Sequence, residues 1–107
     1  MNAGILGEAD LLANTPTKLY TVSVGKVATM TVSFCNRGPN TAKVTLLVPK
    51  AVGDQTTFYE YEFPLPPAGS TPLERTGIVA EAGRNVVVQS SSALVTAIVH
   101  GYEEGAA

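Results

Sequence analysis

The sequence predicts an all-β protein, a single-domain β-sandwich of seven or eight strands with an extended N-terminal arm. Over residues 28–34, alanine, methionine, valine and phenylalanine alternate with threonine and serine, and similar short runs recur along the chain. Alternation with a period of two is typical of strands that bury one face. Turn-forming residues separate the runs at intervals of about 8–14 residues, as in sandwiches. A chain of 107 residues is expected to form one domain, with a jelly-roll or an immunoglobulin-like topology.

The N-terminal segment, residues 1–15, is predicted to be an extended arm or a first edge strand. Gly4 and Gly7 argue against a long helix there. Pro16 separates this segment from the main domain, because a residue that precedes proline is restricted to extended geometry. Packing of the segment on its own domain and docking on a neighbouring molecule both stay open. The main domain is expected over residues 16–102, and residues 103–107 read as a polar C-terminal tail.

The central stretch, residues 18–48, contains three β-rich runs separated by two compact turns. Gly25-Lys26 fits a two-residue hairpin whose first position needs a positive φ, and residues 36–40 form the second turn. We therefore expect an antiparallel meander here. Further strands are predicted over residues 58–63, 73–80, 85–91 and 94–102.

The strand predicted over residues 58–63 carries most of the aromatic residues. Alternation places Tyr59, Tyr61 and Phe63 on one face, and Glu60 and Glu62 on a solvated opposite face. The proline-rich segment that follows, residues 64–72, is expected to be a rigid loop, because proline cannot donate to a sheet ladder.

Composition restricts the classes of function. Charged residues make up 15% of the chain, against about 25% in typical soluble domains, so part of the surface is expected to be covered by another chain. A sandwich with threonine and serine on its outer faces is the simpler alternative. The net charge of −2 and the scattered basic residues argue against nucleic-acid binding. We expect neither a membrane span nor a secretory signal. Cys35, the only cysteine, fits a reducing cytoplasm and is expected to be a packing residue.

Catalytic and metal-binding patterns are weak in this sequence. His100 is the only histidine, and Asp10 and Asp54 are the only aspartates, so neither a zinc cluster nor a Ser-His-Asp arrangement has local support. The carboxylates of Glu60 and Glu62 lie two residues apart on one strand, whereas a glycosidase places its two acids across a cleft. We therefore expect no enzymatic activity, no cofactor and no bound metal.

Tyrosine side chains leave one binding alternative open. Tyr59, Tyr61 and Tyr102 could line a sugar-binding surface, because aromatic faces stack on sugars. The absence of tryptophan and an aromatic fraction of 7% favour core packing instead.

Five phrases distributed over nearly the whole chain resemble small virion structural proteins of tailed bacteriophages. They are residues 12–22 (LANTPTKLYTV), 24–29 (VGKVAT), 35–38 (CNRG), 73–79 (LERTGIV) and 100–104 (HGYEE). The resemblance implies a β-rich capsid decoration or cement protein, assembled into the virion in the host cytoplasm, with the major capsid protein or other virion proteins as partners and a homotrimer as the favoured state. A tail or baseplate accessory protein that binds carbohydrate or the host surface is the alternative. The resemblance transfers no catalytic residues to this chain.

A decoration protein needs an interface, and we expect it on the N-terminal arm and on loops 36–40 and 64–72. Deletion of residues 1–15 is then expected to weaken particle binding and to leave the sandwich folded. The predicted interface residues are Ile5, Leu6, Leu11, Leu12, Arg37, Pro39, Pro66 and Pro67.

Overall fold

A computed structural model of the chain describes residues 3–51, 53–54, 56–67 and 73–105. Eight strands and no helix are found in these ranges, which confirms the prediction of an all-β sandwich. The strands are β1 (Ala3–Asp10), β2 (Thr17–Thr21), β3 (Lys26–Asn36), β4 (Ala42–Leu47), β5 (Phe58–Leu65), β6 (Leu73–Glu81), β7 (Asn85–Ser90) and β8 (Val95–Gly105).

The strands form two antiparallel sheets of four. The first sheet has the order β1-β8-β3-β6, and the second sheet has the order β2-β7-β4-β5. The first strand therefore pairs with the last, the second with the seventh, the third with the sixth and the fourth with the fifth. The chain is arranged as one long hairpin that turns back between β4 and β5. Successive strand pairs of this hairpin lie alternately in the first and the second sheet. This pairing is the jelly-roll arrangement, which decides between the two predicted topologies.

The predicted central meander is wrong. β2 and β4 lie in the second sheet and β3 lies in the first, so neither turn closes a hairpin. The first turn is also shifted by one residue: Val24 and Gly25 occupy it, and the Lys26 amide donates to the Ser23 carbonyl at 3.1 Å. Alternation reports that a strand buries one face, but it does not identify the neighbouring strand. Short turns can equally carry the chain from one sheet to the other.

The core lies between the two sheets and is built from the inward-facing residues of each strand. In β3, every second side chain from Ala28 to Phe34 is fully buried, as the alternation predicted. β7 departs from alternation, since Val87 is buried on the outer face of the second sheet. The buried core residues are Leu11, Val22, Ala28, Met30, Val32, Phe34, Ala42, Val44, Leu46, Val48, Leu65, Ile78, Ala80, Val86, Val88, Val95, Ala97 and Val99.

The N-terminal segment is part of this architecture. Residues 3–10 form β1, an edge strand of the first sheet, paired with β8 along its length. Gly7 brings β1 against β2, because a Cβ atom at Gly7 would collide with the carbonyl oxygen of Leu19. β1 and β2 thus close one side of the sandwich.

Candidate interaction surfaces

The topology gathers four connections at one end of the sandwich. Odd-numbered strands all end there and even-numbered strands all begin there, since every neighbouring pair is antiparallel. We call this region the loop end. It consists of residues 11–16, 37–41, 66–67 and 91–94.

A buried asparagine fixes the connection between β3 and β4. The Asn36 side-chain amide donates to the carbonyls of Asn40 at 2.8 Å and Leu65 at 3.1 Å. Its side-chain oxygen accepts a hydrogen bond from the Gly38 amide at 2.9 Å. One side chain therefore ties residues 37–41 to the end of β5 and satisfies backbone groups that a loop would otherwise leave exposed.

Arg37 links three elements at the loop end. Its Nε donates to Thr96 Oγ1 at 3.1 Å, and Thr96 Oγ1 in turn donates to Asp10 Oδ1 at 2.7 Å. The guanidinium also lies 3.7 Å from the Asp10 carboxylate. The Arg37 amide donates to the Leu94 carbonyl at 2.8 Å. These bonds connect β1, β8 and the connection that follows β3.

Residues 11–16 and 91–94 are each held to a neighbouring strand by a backbone hydrogen bond. The Asn14 amide donates to the Ser90 carbonyl at 2.7 Å, and the Ser91 amide donates to the Lys43 carbonyl at 2.9 Å. Serine hydroxyls accept from backbone amides within residues 90–94, at 3.1 Å in each case. The loop end is therefore an ordered surface, with its loops bonded to one another and to the strands.

Five of the eight predicted interface residues come together at the loop end: Leu12, Arg37, Pro39, Pro66 and Pro67. Leu12 is 67% exposed and Pro39 is exposed, while both residues of the Pro66-Pro67 pair are half-buried. Sequence reasoning missed Leu94, which is 43% exposed and packs beside Gly38. We had placed Leu94 inside the last strand, although the preceding Ser90-Ser-Ser-Ala93 turn is a signal for a loop.

The other three predicted residues lie elsewhere. Ile5 is exposed on the outer face of the first sheet, opposite His100. Leu6 is partly buried and packs against the core. Leu11 is a core residue with 1% exposure, so its assignment to a docking surface is corrected. Leu11 follows directly after β1, and its backbone amide donates to the Val95 carbonyl at the start of β8. This bond holds the residue against the first sheet, with its side chain in the core.

The aromatic residues of β5 do not follow the predicted alternation. Phe58 and Tyr61 form an edge-to-face pair with ring centroids 5.3 Å apart, and Tyr61 is 67% exposed. Tyr59 packs against the core instead. The prediction that Tyr59, Tyr61 and Phe63 share a face is wrong, because irregularities in the β4–β5 register re-aim these side chains and Glu62 adopts a φ of 49°.

The acidic residues of β5 also differ from prediction. Glu60 is half-buried and forms an ion pair with Arg75 at 3.3 Å, rather than lying on a solvated face. The Arg75 guanidinium lies 5.6 Å from the centroid of the Tyr59 ring. This contact joins β5 to β6 across the side of the sandwich opposite β1 and β2.

The only histidine and the only cysteine of the sequence lie on the outer face of the first sheet. His100 is half-buried between Ile5 of β1 and Thr31 of β3. Cys35 is exposed next to Thr96, so the expectation of a packing thiol is wrong. Within the described ranges, no three histidine, cysteine, aspartate or glutamate residues are grouped as a metal site would need.

One carboxyl has a shifted pKa. A hydrogen bond from its own backbone amide, and then the guanidinium of Arg84 at 3.1 Å, hold the pKa of Glu81 below its usual value of 4.5. Arg84 also donates to the Val48 carbonyl at 3.2 Å, so this pair anchors the end of the sandwich opposite the loop end.

No helix in the described part of the chain is long and apolar enough to cross a membrane. Comparison of the chain with known protein families, with curated proteins and with solved structures finds no match to any of them.

Proposed function

We propose that the chain is a non-enzymatic structural protein of a phage virion, a decoration protein that binds the head lattice through its loop end and stabilises the particle. The major capsid protein is the proposed partner, and assembly takes place in the host cytoplasm with a homotrimer as the favoured state. The resemblance of residues 12–22, 24–29, 35–38, 73–79 and 100–104 to virion proteins supports this identity.

The geometry of the loop end supports the proposed mode of attachment. The loop end exposes Leu12, Leu94 and Pro39, and among its described residues Arg37, which is paired with Asp10, is the charged one. Burial of one such leucine contributes about 1.5–3 kcal/mol. Because Asn36 already holds the loops in place, binding would not have to order them first.

Stabilisation of the particle follows from mass action. A protein that binds the assembled shell and not its free subunits shifts the equilibrium toward assembly. Many identical positions on a lattice, and self-association of the bound protein, add avidity to a contact that is weak on its own. A small ordered surface such as the loop end is therefore sufficient for the task.

The first experiment measures binding to heads purified from a phage that lacks this protein. Leu12→Ser combined with Leu94→Ser should weaken co-sedimentation by about a hundredfold or more, because two buried leucines are lost from the contact. Val24→Ser is the matched control, since Val24 is 95% exposed in the turn at the opposite end of the sandwich. Equal loss in both variants, or no loss in either, would contradict attachment through the loop end.

Location on the particle is tested separately by immunogold electron microscopy. Label spread over the head supports decoration, whereas label at the tail tip supports the alternative of a tail or baseplate accessory protein. The absence of label on particles removes the virion proposal.

A second candidate function rests on the aromatic pair of β5. Phe58 and Tyr61 present ring surface to solvent, and such surface stacks on sugars. A tail accessory protein could use this pair to bind host carbohydrate. A glycan array tests the idea: a reproducible ligand that is lost in Tyr61→Ala and kept in Tyr102→Ala supports carbohydrate binding, and the absence of any ligand counts against it.

A further inference from the structure

Acidic residues outnumber basic ones on the outer face of the first sheet, where Arg37, just beyond the end of β3, is paired with Asp10. Among the described strands, no lysine or arginine side chain lies on this face by register, whereas carboxylates lie on β1, β8 and β6. Glu8, Glu74 and Glu104 have no ion-pair partner among the described residues. The acidic residues of this face are Glu8, Asp10, Glu74, Glu81 and Glu104.

The outer face of the second sheet carries two lysines, and the exposed Glu62 lies beside this face, with its amide donating to the Thr45 hydroxyl at 3.1 Å. Lys18 lies opposite Val87, and Lys43 lies two strands away, opposite Pro64. Both lysines are exposed, and neither has an ion-pair partner in the described part of the chain. Thr45 and Gln89, which pair with each other, are neutral residues between them.

Both faces also expose apolar side chains. Ile5, Val79 and Tyr102 project from the first sheet. Phe58 and Tyr61 project from the second sheet. Exposed apolar patches that are rimmed by polar or charged residues mark surfaces that another protein covers.

We infer that copies of this chain associate head to tail, with the acidic outer face of the first sheet of one copy on the basic outer face of the second sheet of the next. The contact is heterologous, because each copy contributes a different face, and so it produces a closed ring or an open stack. A two-fold contact between two first-sheet faces would place unpaired carboxylates opposite one another. The inference does not depend on attachment to a virion.

The spacing of the charges agrees with this arrangement. Glu8 and Glu74 share a row through Ile98 and Ser33, so three strand spacings of about 4.8 Å separate them by about 14 Å. Lys18 and Lys43 are separated by two strand spacings and four residues along the strand, or about 17 Å. Flexible lysine side chains bridge a difference of this size. Two ion pairs can therefore form in one face-to-face contact.

Sedimentation velocity of the full chain across a concentration series tests the inference. Wild-type protein should gain mass with concentration, and about 1 M salt, which shortens the Debye length to about 3 Å, should weaken the association. Glu8→Lys with Glu74→Lys, and Lys18→Glu with Lys43→Glu, should each raise the apparent dissociation constant by about tenfold or more. Asp54→Lys, in the connection after β4 and outside both faces, is the matched control and should associate as wild type does.

Mixing the two charge-reversed variants provides the decisive measurement. Each variant has two faces of like charge and should stay monomeric alone, whereas an equimolar mixture again pairs acidic faces with basic ones and should associate. Far-ultraviolet circular dichroism confirms folding, and Glu8→Gln with Glu74→Gln replaces the first variant if it does not fold. Monomeric wild type up to about 1 mM, unchanged association in either variant, or a mixture that stays monomeric would each overturn the inference.

Discussion

Leu11 and Leu12 are adjacent residues of the same type in opposite environments. Leu11 packs in the core between the sheets, whereas most of the Leu12 side chain is in solvent at the loop end. Comparing substitutions at these two residues therefore separates effects on the stability of the fold from effects on surface binding. A docking residue should be one whose loss leaves the fold intact, and Leu12 meets this condition while Leu11 does not.

The two leucines give the first prediction. Leu11→Ala should lower the free energy of unfolding by about 2–5 kcal/mol, because it leaves a cavity in a packed core. Leu12→Ala should change it by no more than about 0.5 kcal/mol, as exposed substitutions do. Urea denaturation of both variants measures the difference. Similar losses in the two variants would contradict the burial described for this segment.

A second pair of identical neighbours is found near the C-terminus. The side chain of Glu103 is 1% exposed, and its carboxylate accepts hydrogen bonds from the Ser23 amide at 2.8 Å and the Ser23 hydroxyl at 3.1 Å. Glu104 is exposed on the outer face of the first sheet. Because Glu103 faces the turn between β2 and β3, it anchors that turn to the last strand.

Glu103→Ala should therefore lower the free energy of unfolding by about 2 kcal/mol or more, since hydrogen bonds to a charged group are lost. Glu104→Ala is the control and should be close to neutral. Thermal and urea denaturation at neutral pH provide the measurement. If Glu103→Ala were as stable as Glu104→Ala, the buried carboxylate would have no anchoring role.

Sequence reasoning could not have found Glu103. We assigned it to a polar tail, because nothing in residues 103–107 distinguishes it from Glu104. Its partner, Ser23, is 80 residues away, so the interaction depends on the pairing of the first half of the chain with the second. The buried alternation of residues 28–34 was predictable, in contrast, because the strand period alone determines it.

At the scale of elements, the positions of the strands were predictable and their irregularities were not. The bulge at Glu62 changes which β5 side chains face solvent, and it places Tyr61 beside Phe58 rather than beside Tyr59. A positive φ at a glutamate has no signature in a single sequence, since glycine is the residue that usually adopts it. The exposed aromatic pair therefore became visible only in the structure.

The contact between β1 and β2 gives the third prediction. Gly7→Ala should destabilise the fold by about 1–3 kcal/mol or more, because the added methyl group would collide with the Leu19 carbonyl. Gly105→Ala is the matched control, since a Cβ there meets no atom within 4 Å. Chemical denaturation compares the two variants, and hydrogen exchange should show faster opening of β1 in Gly7→Ala. Equal stability of the two variants would mean that β1 and β2 are not held in close contact.

At the scale of the whole molecule, the jelly roll brings together residues that are far apart in the sequence. The predicted loop 36–40 and residues 66–67 of the predicted loop 64–72 lie at the same end as Leu12 and Leu94, because all odd-numbered strands end on one side. Residues 64–65 belong to β5, and residues 68–72 lie outside the described residues. Sequence patterns predicted that these segments were loops, and the resemblance suggested that they bind. Their common location follows from the strand order, which a period-two pattern does not encode.

The same topology reverses our expectation for deletion of residues 1–15. We expected the sandwich to remain folded, but β1 pairs with β8 along its length and Leu11 belongs to the core. The deletion would uncover a long edge of β8 and open the core beside β2. We now expect a truncated chain that is unfolded or aggregated, since an uncovered edge strand is a template for aggregation.

Circular dichroism and analytical ultracentrifugation of the truncated chain test this fourth prediction. The control is the full chain with Ile5→Ser and Leu12→Ser, which alters only exposed residues of the same segment and should keep the native fold. A truncated chain that is monomeric and cooperatively folded would mean that β1 acts as a detachable arm. Loss of particle binding by that folded chain would then return the docking surface to the N-terminal segment. If the control folds and the truncated chain does not, reduced particle binding by the truncated chain reflects loss of the fold. Attachment is then measured by the substitutions at Leu12 and Leu94.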